Sequence, residues 1–488
     1  MASFYIENFG CRATQADGAA LENQFLERGL ERAPTVRDAE VVVLNTCTVT
    51  EGADKDARAS IRRVRRENPG CRILVTGCYA QRAPEELAAI PGVSWVVGNS
   101  HKHLAADIAT ARGSSNGGFV PLAQISGDAQ TGANVIVGDI FAHTELLAAP
   151  VFDAANERTR PNLKVQDGCD NRCSFCVIPS VRGQSRSLPL DRVLTEVRSL
   201  VKAGYREVVI SGINLGRWGR DLPVGGRPSL VVGEPVTRRS SIVVGNLDDE
   251  PVGVSREQPT TTDHRLPDLI RAILDTTSIE KLRISSVEPM DWSDELIDLM
   301  ANSLRIAKHA HVPLQSASDA VLRRMHRKYR PWHYREKILK IRAAMPNAAI
   351  GADVMVGFPG ETEAEFTETQ RMIEELPFTY LHVFTYSPRP GTPAAGHANQ
   401  VPVAIARERN FVLREIAAAK KAAFLQAQVG DTVDAITIAS GDHNFTDALT
   451  DNYLKMKVPG RWQPNQWVKA RVQGVEAETL DGVIAQVA

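Results

Sequence analysis

The sequence predicts an α/β protein in three parts. These are a small N-terminal parallel α/β domain, a central partial TIM-like (β/α)6 barrel and a small C-terminal β-barrel. Three observations predict it. Apolar strand runs alternate with helical stretches over residues 1–112. The same alternation resumes at residue 159 and runs to 400, interrupted at about 221–265 by a stretch dominated by Pro, Gly, Arg, Asp and Thr. After Gly430 it gives way to short alternating strands with Gly and Pro turns. Residues 113–158, rich in Gly, Ser, Ala and Asn at their start, read as a linker, 401–428 as a connecting helix, and 429–488 as the last domain. At 488 residues the chain can bury more than one core.

In the N-terminal part, strands are expected at Phe4–Phe9, Val41–Leu44, Ile73–Val75 and Val93–Val97, with helices such as Ala19–Leu30, Ala53–Arg66 and Pro84–Ala89 between them. Cysteines close three of these runs: Cys11, Cys47 and Cys78. The carboxyl ends of parallel strands share one edge, where ligands bind, so three thiols far apart in sequence are expected to meet there. Cys71 lies at the entry end of its strand and is left out of the set.

In the central part, strands are expected at Leu163–Gln166, Glu207–Ser211, Lys281–Ser285, His309–Leu314, Ile350–Val356 and Tyr380–Tyr386, with helices such as Leu190–Ala203, Trp292–Asn302 and Glu361–Leu376. The first strand leads into Cys169-Asp-Asn-Arg-Cys173-Ser-Phe-Cys176. A structural zinc site closes with four protein ligands, and no fourth Cys or His follows at short range. Three soft thiolates suit three irons of a [4Fe–4S] cube and leave the fourth iron open.

Lys and Arg number 57 against 58 Asp and Glu, which excludes a global pull towards nucleic acid, so an RNA surface must be local. Seven cysteines, no apolar secretory start and no apolar run near ~18 residues lead to the expectation of a reducing cytoplasm, thiols kept for metal, and no membrane.

The CxxxCxxC loop resembles that of the radical S-adenosylmethionine (SAM) enzymes. Gly10-Cys11, Asn45-Thr-Cys47-Thr-Val-Thr50 and Thr76-Gly-Cys78-Tyr-Ala-Gln81 resemble the N-terminal domain of the methylthiotransferases, a family that replaces C–H by C–S–CH3. The resemblance implies two [4Fe–4S] clusters, an auxiliary one on Cys11, Cys47 and Cys78 and the SAM-cleaving one on Cys169, Cys173 and Cys176. The family usually has Asn three residues after its first cysteine; this chain has Thr14. Phe175 in the cysteine loop and strand-end residues Gly212, Asn214, Ser285, Gln315, Asp353 and Gly357 match segments expected to line the SAM and substrate pocket. Leu449–Lys457 resembles a TRAM domain, an RNA-binding barrel at the end of this family.

Basic segments give the RNA candidates. Arg182 and Arg186 lie in a loop that either meets an anionic substrate or is simply solvated. Leu322–Arg342 holds nine Lys or Arg and one Glu, interleaved with Tyr329, Trp332 and Tyr334, and contributes Lys328; phosphate contact with base stacking and a solvated helix face both remain open. Helix Arg58–Arg66, after Cys47, is also basic. Residues 452–475 hold five Lys or Arg, no acid, and Tyr453, Trp462 and Trp467, offering Lys455, Lys457, Arg461 and Trp462 to RNA.

The wording around the cysteines, including Ile178-Pro-Ser-Val-Arg-Gly-Gln-Ser-Arg-Ser187, resembles the group acting on threonylcarbamoyl-adenosine, the MtaB type. What this implies is methylthiolation at C2 of N6-threonylcarbamoyladenosine, position 37 of tRNA, with SAM as cofactor and an electron donor such as a flavodoxin or ferredoxin as partner. Isopentenyl-adenosine in tRNA and an aspartate of a ribosomal protein are the family's other substrates. A non-enzymatic iron–sulfur RNA-binding protein would use the same cysteines without a SAM pocket.

Overall fold

A computed structural model describes residues 2–110, 133–143, 146, 160–222 and 265–487. Most of the expected linker and insertion therefore lies outside the described residues.

The N-terminal sheet has six parallel strands in the order β2-β1-β3-β4-β5-β6: β1 Ser3–Asn8, β2 Glu31–Arg32, β3 Val41–Thr46, β4 Arg72–Gly77, β5 Val93–Gly98 and β6 Asn134–Ile136. β3 is buried along its whole length, as a central parallel strand covered on both faces must be, and this is why Val41–Leu44 reads as a continuous apolar run. β6 corrects the linker: residues 134–136 pair with Trp95–Val97 at the sheet edge. From β1 the chain turns outward to β2 and then crosses to β3 on the other side, so the strand order reverses between β1 and β3. In a doubly wound sheet that switch point is where the ligand crevice opens. Cys11 follows β1 and Cys47 follows β3.

The central domain has six parallel strands: β7 Asn162–Asp167, β9 Glu207–Gly212, β10 Lys281–Ile284, β11 His309–His311, β12 Ala349–Val356 and β13 Tyr380–Thr385. The two-residue β8, Arg186–Ser187, runs antiparallel beside β7. The sheets β10-β9-β7-β8 and β11-β12-β13 join through a parallel bridge from Leu282 to Ile306, which makes an incomplete barrel. Alternate residues divide the strands. Leu163, Val165, Val208, Ile210, Leu282, Ala352 and Val354 pack outward into one continuous core under the helices. β11 is shorter than expected: Val312 and Leu314 still donate to the Gly351 and Asp353 carbonyls, but beyond His311 the pairing reduces to a single bridge from Gln315, whose φ is 59°, to Val354.

The C-terminal part is a closed barrel of β14 Thr432–Gly441, β15 Phe445–Thr450, β16 Lys455–Pro459, β18 Thr479–Val487 and β17 Trp467–Glu476. It docks on the amino-terminal end of the central barrel. Tyr453 lies under three guanidinium groups, those of Arg283, Arg160 and Arg12 at 5.2, 5.7 and 5.9 Å from its ring centre. Arg12 donates a hydrogen bond to its phenol oxygen at 3.1 Å. Lys281 pairs with Asp451 at 2.9 Å and stands over the Trp467 ring. Tyr453 and Trp467, expected on an RNA face, thus serve the domain junction. Among the described residues no helix is long and apolar enough to cross a membrane.

Candidate active site between the two cysteine sets

Glycines decide how the N-terminal cysteines converge. Gly10 has φ +95°, and a Cβ there would lie 2.7 Å from Cβ and 2.9 Å from Sγ of Cys47. Gly77 has φ +100°, and its Cβ would strike the Thr46 carbonyl oxygen. Only glycine permits both the left-handed backbone and the close approach. Cys11 is exposed, whereas Cys47 and Cys78 are buried, and none of the seven cysteines is in a disulfide. Thr14 Oγ1 lies 3.5 Å from Cys11 Sγ, so Thr supplies a polar contact where the family usually has Asn. The Asn99 amide donates to Cys78 Sγ at 3.6 Å and to the Val181 carbonyl at 2.8 Å. Cys71 packs in the apolar core behind β4, away from this edge.

The second set sits in the loop after β7. Asn214 Nδ2 donates to Cys169 Sγ at 3.6 Å and the Asn171 backbone N–H at 3.4 Å, while Arg327 donates to Cys173 Sγ at 3.3 Å. Burial, with the neighbouring thiols adding to it, pushes Cys47 and Cys176 up to about 12. Alone they are thiols, and a metal is needed to make them thiolates.

Between the two sets lies a cavity of about 370 Å³. One wall is Val49 and Thr50, just after Cys47; another is Phe175–Ile178, which includes Cys176; Gln315, Asp353, Met355 and Phe384–Ser387 complete it. Thr50 also caps helix Glu51–Glu67 by accepting from the Ala53 N–H at 3.2 Å, which fixes that wall. The lining is largely apolar with a few polar atoms, as small-molecule sites are. Gln315 Oε1, Ser285 Oγ and Asn214 Oδ1 are enclosed without a partner among the described residues. Below, the ligating atoms of His311, Asp353 and His382 lie within 4.8 Å of one another.

Two buried ionic clusters clamp the N-terminal domain to the barrel. In one, Asp17 meets Lys102 at 3.0 Å, Arg182 at 2.9 Å and Lys164, while Asp167 meets Lys164 at 2.7 Å and Arg182 at 3.0 Å. Burial opposes the charge on both acids, yet the surrounding cations hold the two carboxyls well below the usual range. In the other, Arg389 and Arg82 share Asp54, and both also donate to Thr48.

Several expectations are corrected. Arg182 is 2% exposed inside the first cluster and is closed to RNA. Arg186 is half-buried, donating to the Arg182 and Gln184 carbonyls. Gly357 does not face the cavity; a Cβ there would meet Ala406 of helix Val403–Gln426 at 2.6 Å. Gly212 packs on Gln166, whereas Phe175 lines the cavity and stands edge-on to Phe358. In the basic segment Tyr329 and Tyr334 are buried, hydrogen-bonded to the Leu314 and Val312 carbonyls. Arg324, Arg327 and Arg330 pair with Glu365, Glu288 and Asp319. Lys328 stays exposed and lines a cavity of about 280 Å³ with Asn171, Gln184, Ser185 and Arg217. Lys455 and Arg461 are exposed, Lys457 stands over the Phe445 ring at 4.8 Å, and Trp462 donates to the Pro459 carbonyl.

Reading the sequence missed Asn99, Arg327 and the Asp17–Lys102–Lys164–Asp167 set. Asn99 directly follows β5 and falls under the same strand-end rule that found the cysteines. Lys164 alternates with Leu163 and Val165, a period-two signal of a polar inner face.

A partial barrel with three thiols after its first strand defines the radical SAM class. Family models agree: that of the radical SAM superfamily matches residues 163–373, and that of an uncharacterized protein family, UPF0004, matches residues 3–98. The threonylcarbamoyladenosine tRNA methylthiotransferase MtaB of Bacillus subtilis is 35% identical over 94% of this chain and 91% of its own length. That of Aquifex aeolicus is 32% identical over 96% and 99%. The tRNA-2-methylthio-N(6)-dimethylallyladenosine synthase of Erythrobacter litoralis is 30% identical over 90% and 87%. The radical SAM methyltransferase TsrM of Kitasatospora setae shares the fold, with a TM-score of 0.51 at 14% identity over 81% of this chain and 77% of its own. The chain belongs to the radical SAM methylthiotransferase family that includes the MtaB proteins. Enzymes of this family use SAM and two [4Fe–4S] clusters.

Proposed function

We infer that this chain methylthiolates C2 of N6-threonylcarbamoyladenosine at position 37 of tRNA. The observation that carries the reading is the cavity walled on one side by the residues after Cys47 and on the other by the loop of Cys176. A base held there is reached from both cysteine sets. Cys11, Cys47 and Cys78 would hold the auxiliary cluster, and Cys169, Cys173 and Cys176 the SAM-cleaving one. The donor set fits: soft sulfur, three per site, with hydrogen bonds to Cys78, Cys169 and Cys173 from neighbouring side chains. When bound, the clusters and SAM supply a hydrogen-abstracting radical and the methylthio group.

The protein's own task is to hold and to exclude. Val49, Phe175, Met355 and Phe384 keep water from the reacting carbon. Asn214, Ser285, Gln315 and Asp353 offer the polar atoms that orient adenosine or SAM. Lys328, Lys455, Lys457, Arg461 and Trp462 are the proposed tRNA contacts. Electrons come from a small donor such as a flavodoxin or ferredoxin, and the chain works in the cytoplasm.

Mass spectrometry of tRNA nucleosides from a strain lacking the gene tests this. Loss of the methylthio-threonylcarbamoyl nucleoside, with its unthiolated precursor accumulating, is expected. Loss of the methylthio-isopentenyl nucleoside instead would overturn the substrate. Cys47→Ala should still cleave SAM reductively but yield no methylthiolated tRNA in a single turnover.

A further inference from the structure

We propose that Arg182, carried by the radical SAM domain, is the counter-cation of the auxiliary centre and sets that centre's reduction potential. The inference rests on the assignment of Cys11, Cys47 and Cys78 to the auxiliary cluster.

Geometry places the guanidinium against this cysteine set. Arg182 Nη2 lies 3.5 Å from Thr14 Oγ1, which lies 3.5 Å from Cys11 Sγ. Helix Ile178–Arg182 packs on Cys78 through Val181, as does Val177 just before it. Asn99 bridges the Val181 carbonyl and Cys78 Sγ. Cys78 and Cys11 both act electrostatically on Arg182. Its helix thus belongs to one domain and its charge serves the other.

The charges do not cancel. Among the described residues Lys102, Lys164 and Arg182 pair with two carboxylates, Asp17 and Asp167, and every side chain of the five is at most 9% exposed. Among the described residues, three cations against two anions leave one positive charge out of water. Arg186 at the edge of the same pocket also faces Asp221 and adds no further unpaired charge. An uncompensated charge so deep is costly unless a counter-charge lies nearby. A [4Fe–4S] core in its usual resting state, bound by three thiolates, carries about one net negative charge. The five side chains and the loaded centre are then close to neutral together. One-electron reduction makes the centre more negative, so the leftover cation favours the reduced state and raises the potential. Hydrogen bonds and nearby charge are recognised levers on such potentials.

The test uses the full-length protein with Cys169, Cys173 and Cys176 all changed to Ala, so that any iron present belongs to the auxiliary site. Iron content and low-temperature EPR come first. No iron there would sink the cysteine assignment rather than this inference. With iron present, the potential is titrated in variants of opposite sign. Arg182→Gln and Lys102→Gln each remove a cation and should lower the potential by 59 mV or more, a tenfold change in the one-electron equilibrium. Asp17→Asn removes an anion and should raise it. Arg182→Lys keeps the charge and should restore most of the shift. A merely structural role would move opposite-sign variants in one direction or not at all. Iron-loaded variants with unmoved potentials, or Asp17→Asn shifting downward, would overturn the proposal. Should the Arg182→Gln protein not fold, Lys102→Gln and Asp17→Asn decide by their signs.

Discussion

Replacing Tyr453 by leucine should loosen the C-terminal barrel from the central one and leave direct RNA binding intact. The ring sits 5.2–5.9 Å from three guanidinium carbons. At ~0.5 kcal/mol each, reduced from the desolvated value because three cations share one ring, they contribute about 1.5 kcal/mol. The hydrogen bond from Arg12 adds about 1.5 kcal/mol more, since its donor is charged. Leucine also retains the φ of +70° that Tyr453 adopts, so no backbone strain is relieved. The loss of about 3 kcal/mol corresponds to on the order of a hundredfold in the docking equilibrium. Hydrogen exchange at Thr450–Leu454 and at β10, with proteolysis between Gln426 and Thr432, reads that equilibrium directly. Tyr453→Phe, which loses only the hydrogen bond, should give about half the effect. The reasoning fails if Tyr453→Leu leaves exchange and cleavage unchanged while tRNA affinity falls by the ~1–3 kcal/mol that a lost base stack costs.

Further outcomes follow from other parts of the molecule. Gly77→Ala forces a Cβ onto the Thr46 carbonyl, so purified protein should carry about half the wild-type iron while reductive SAM cleavage persists. Lys328→Gln should weaken tRNA binding evenly across tRNAs and reduce the slope of log affinity against log salt by about 1. Alkylation of metal-free protein near neutral pH should label exposed Cys11 well before Cys47, whose thiol is buried and pushed up to about 12; mass mapping of the labelled peptides would show the order. Asp17 is held below its ordinary 3.8, so the unfolded chain takes up its proton first. The stability this carboxylate contributes is therefore full above about pH 4 and drains away as pH falls. Asp17→Asn should flatten the acid limb of a fluorescence-monitored unfolding curve.

Much of this architecture was legible because it rests on local periodicity. Val41–Leu44 could only be a strand buried on two faces, and a cysteine after each of β1, β3 and β4 put three thiols on one sheet edge. Burial partners were not legible. Arg182 reads as a basic loop residue until helix Arg12–Glu27 brings Asp17 beside it, 165 positions away in the chain. Tyr453 reads as an aromatic on a basic face, and only the docking of three domains shows that its cations come from the other two. The basic run at 322–342 carried a usable warning: Tyr334, Ile338 and Ile341 share one buried helix stripe, which leaves their neighbours to pair with the acids around them. β6 was missed because three residues between stretches of weak pattern carry too little signal to separate from a linker.

The two ionic clamps, Asp17 with Lys164 and Arg182 in one and Asp54 with Arg82 and Arg389 in the other, have a consequence for how the domains meet a substrate. Joined by two buried ion-pair clusters, the domains are held together before any substrate arrives. A base held in the cavity between the cysteine sets would meet the residues after Cys47 on one wall and the Cys176 loop on another without the domains having to close around it. The clamps would thus act as a jig that keeps the two cysteine sets at one spacing, not as a hinge that closes on what enters.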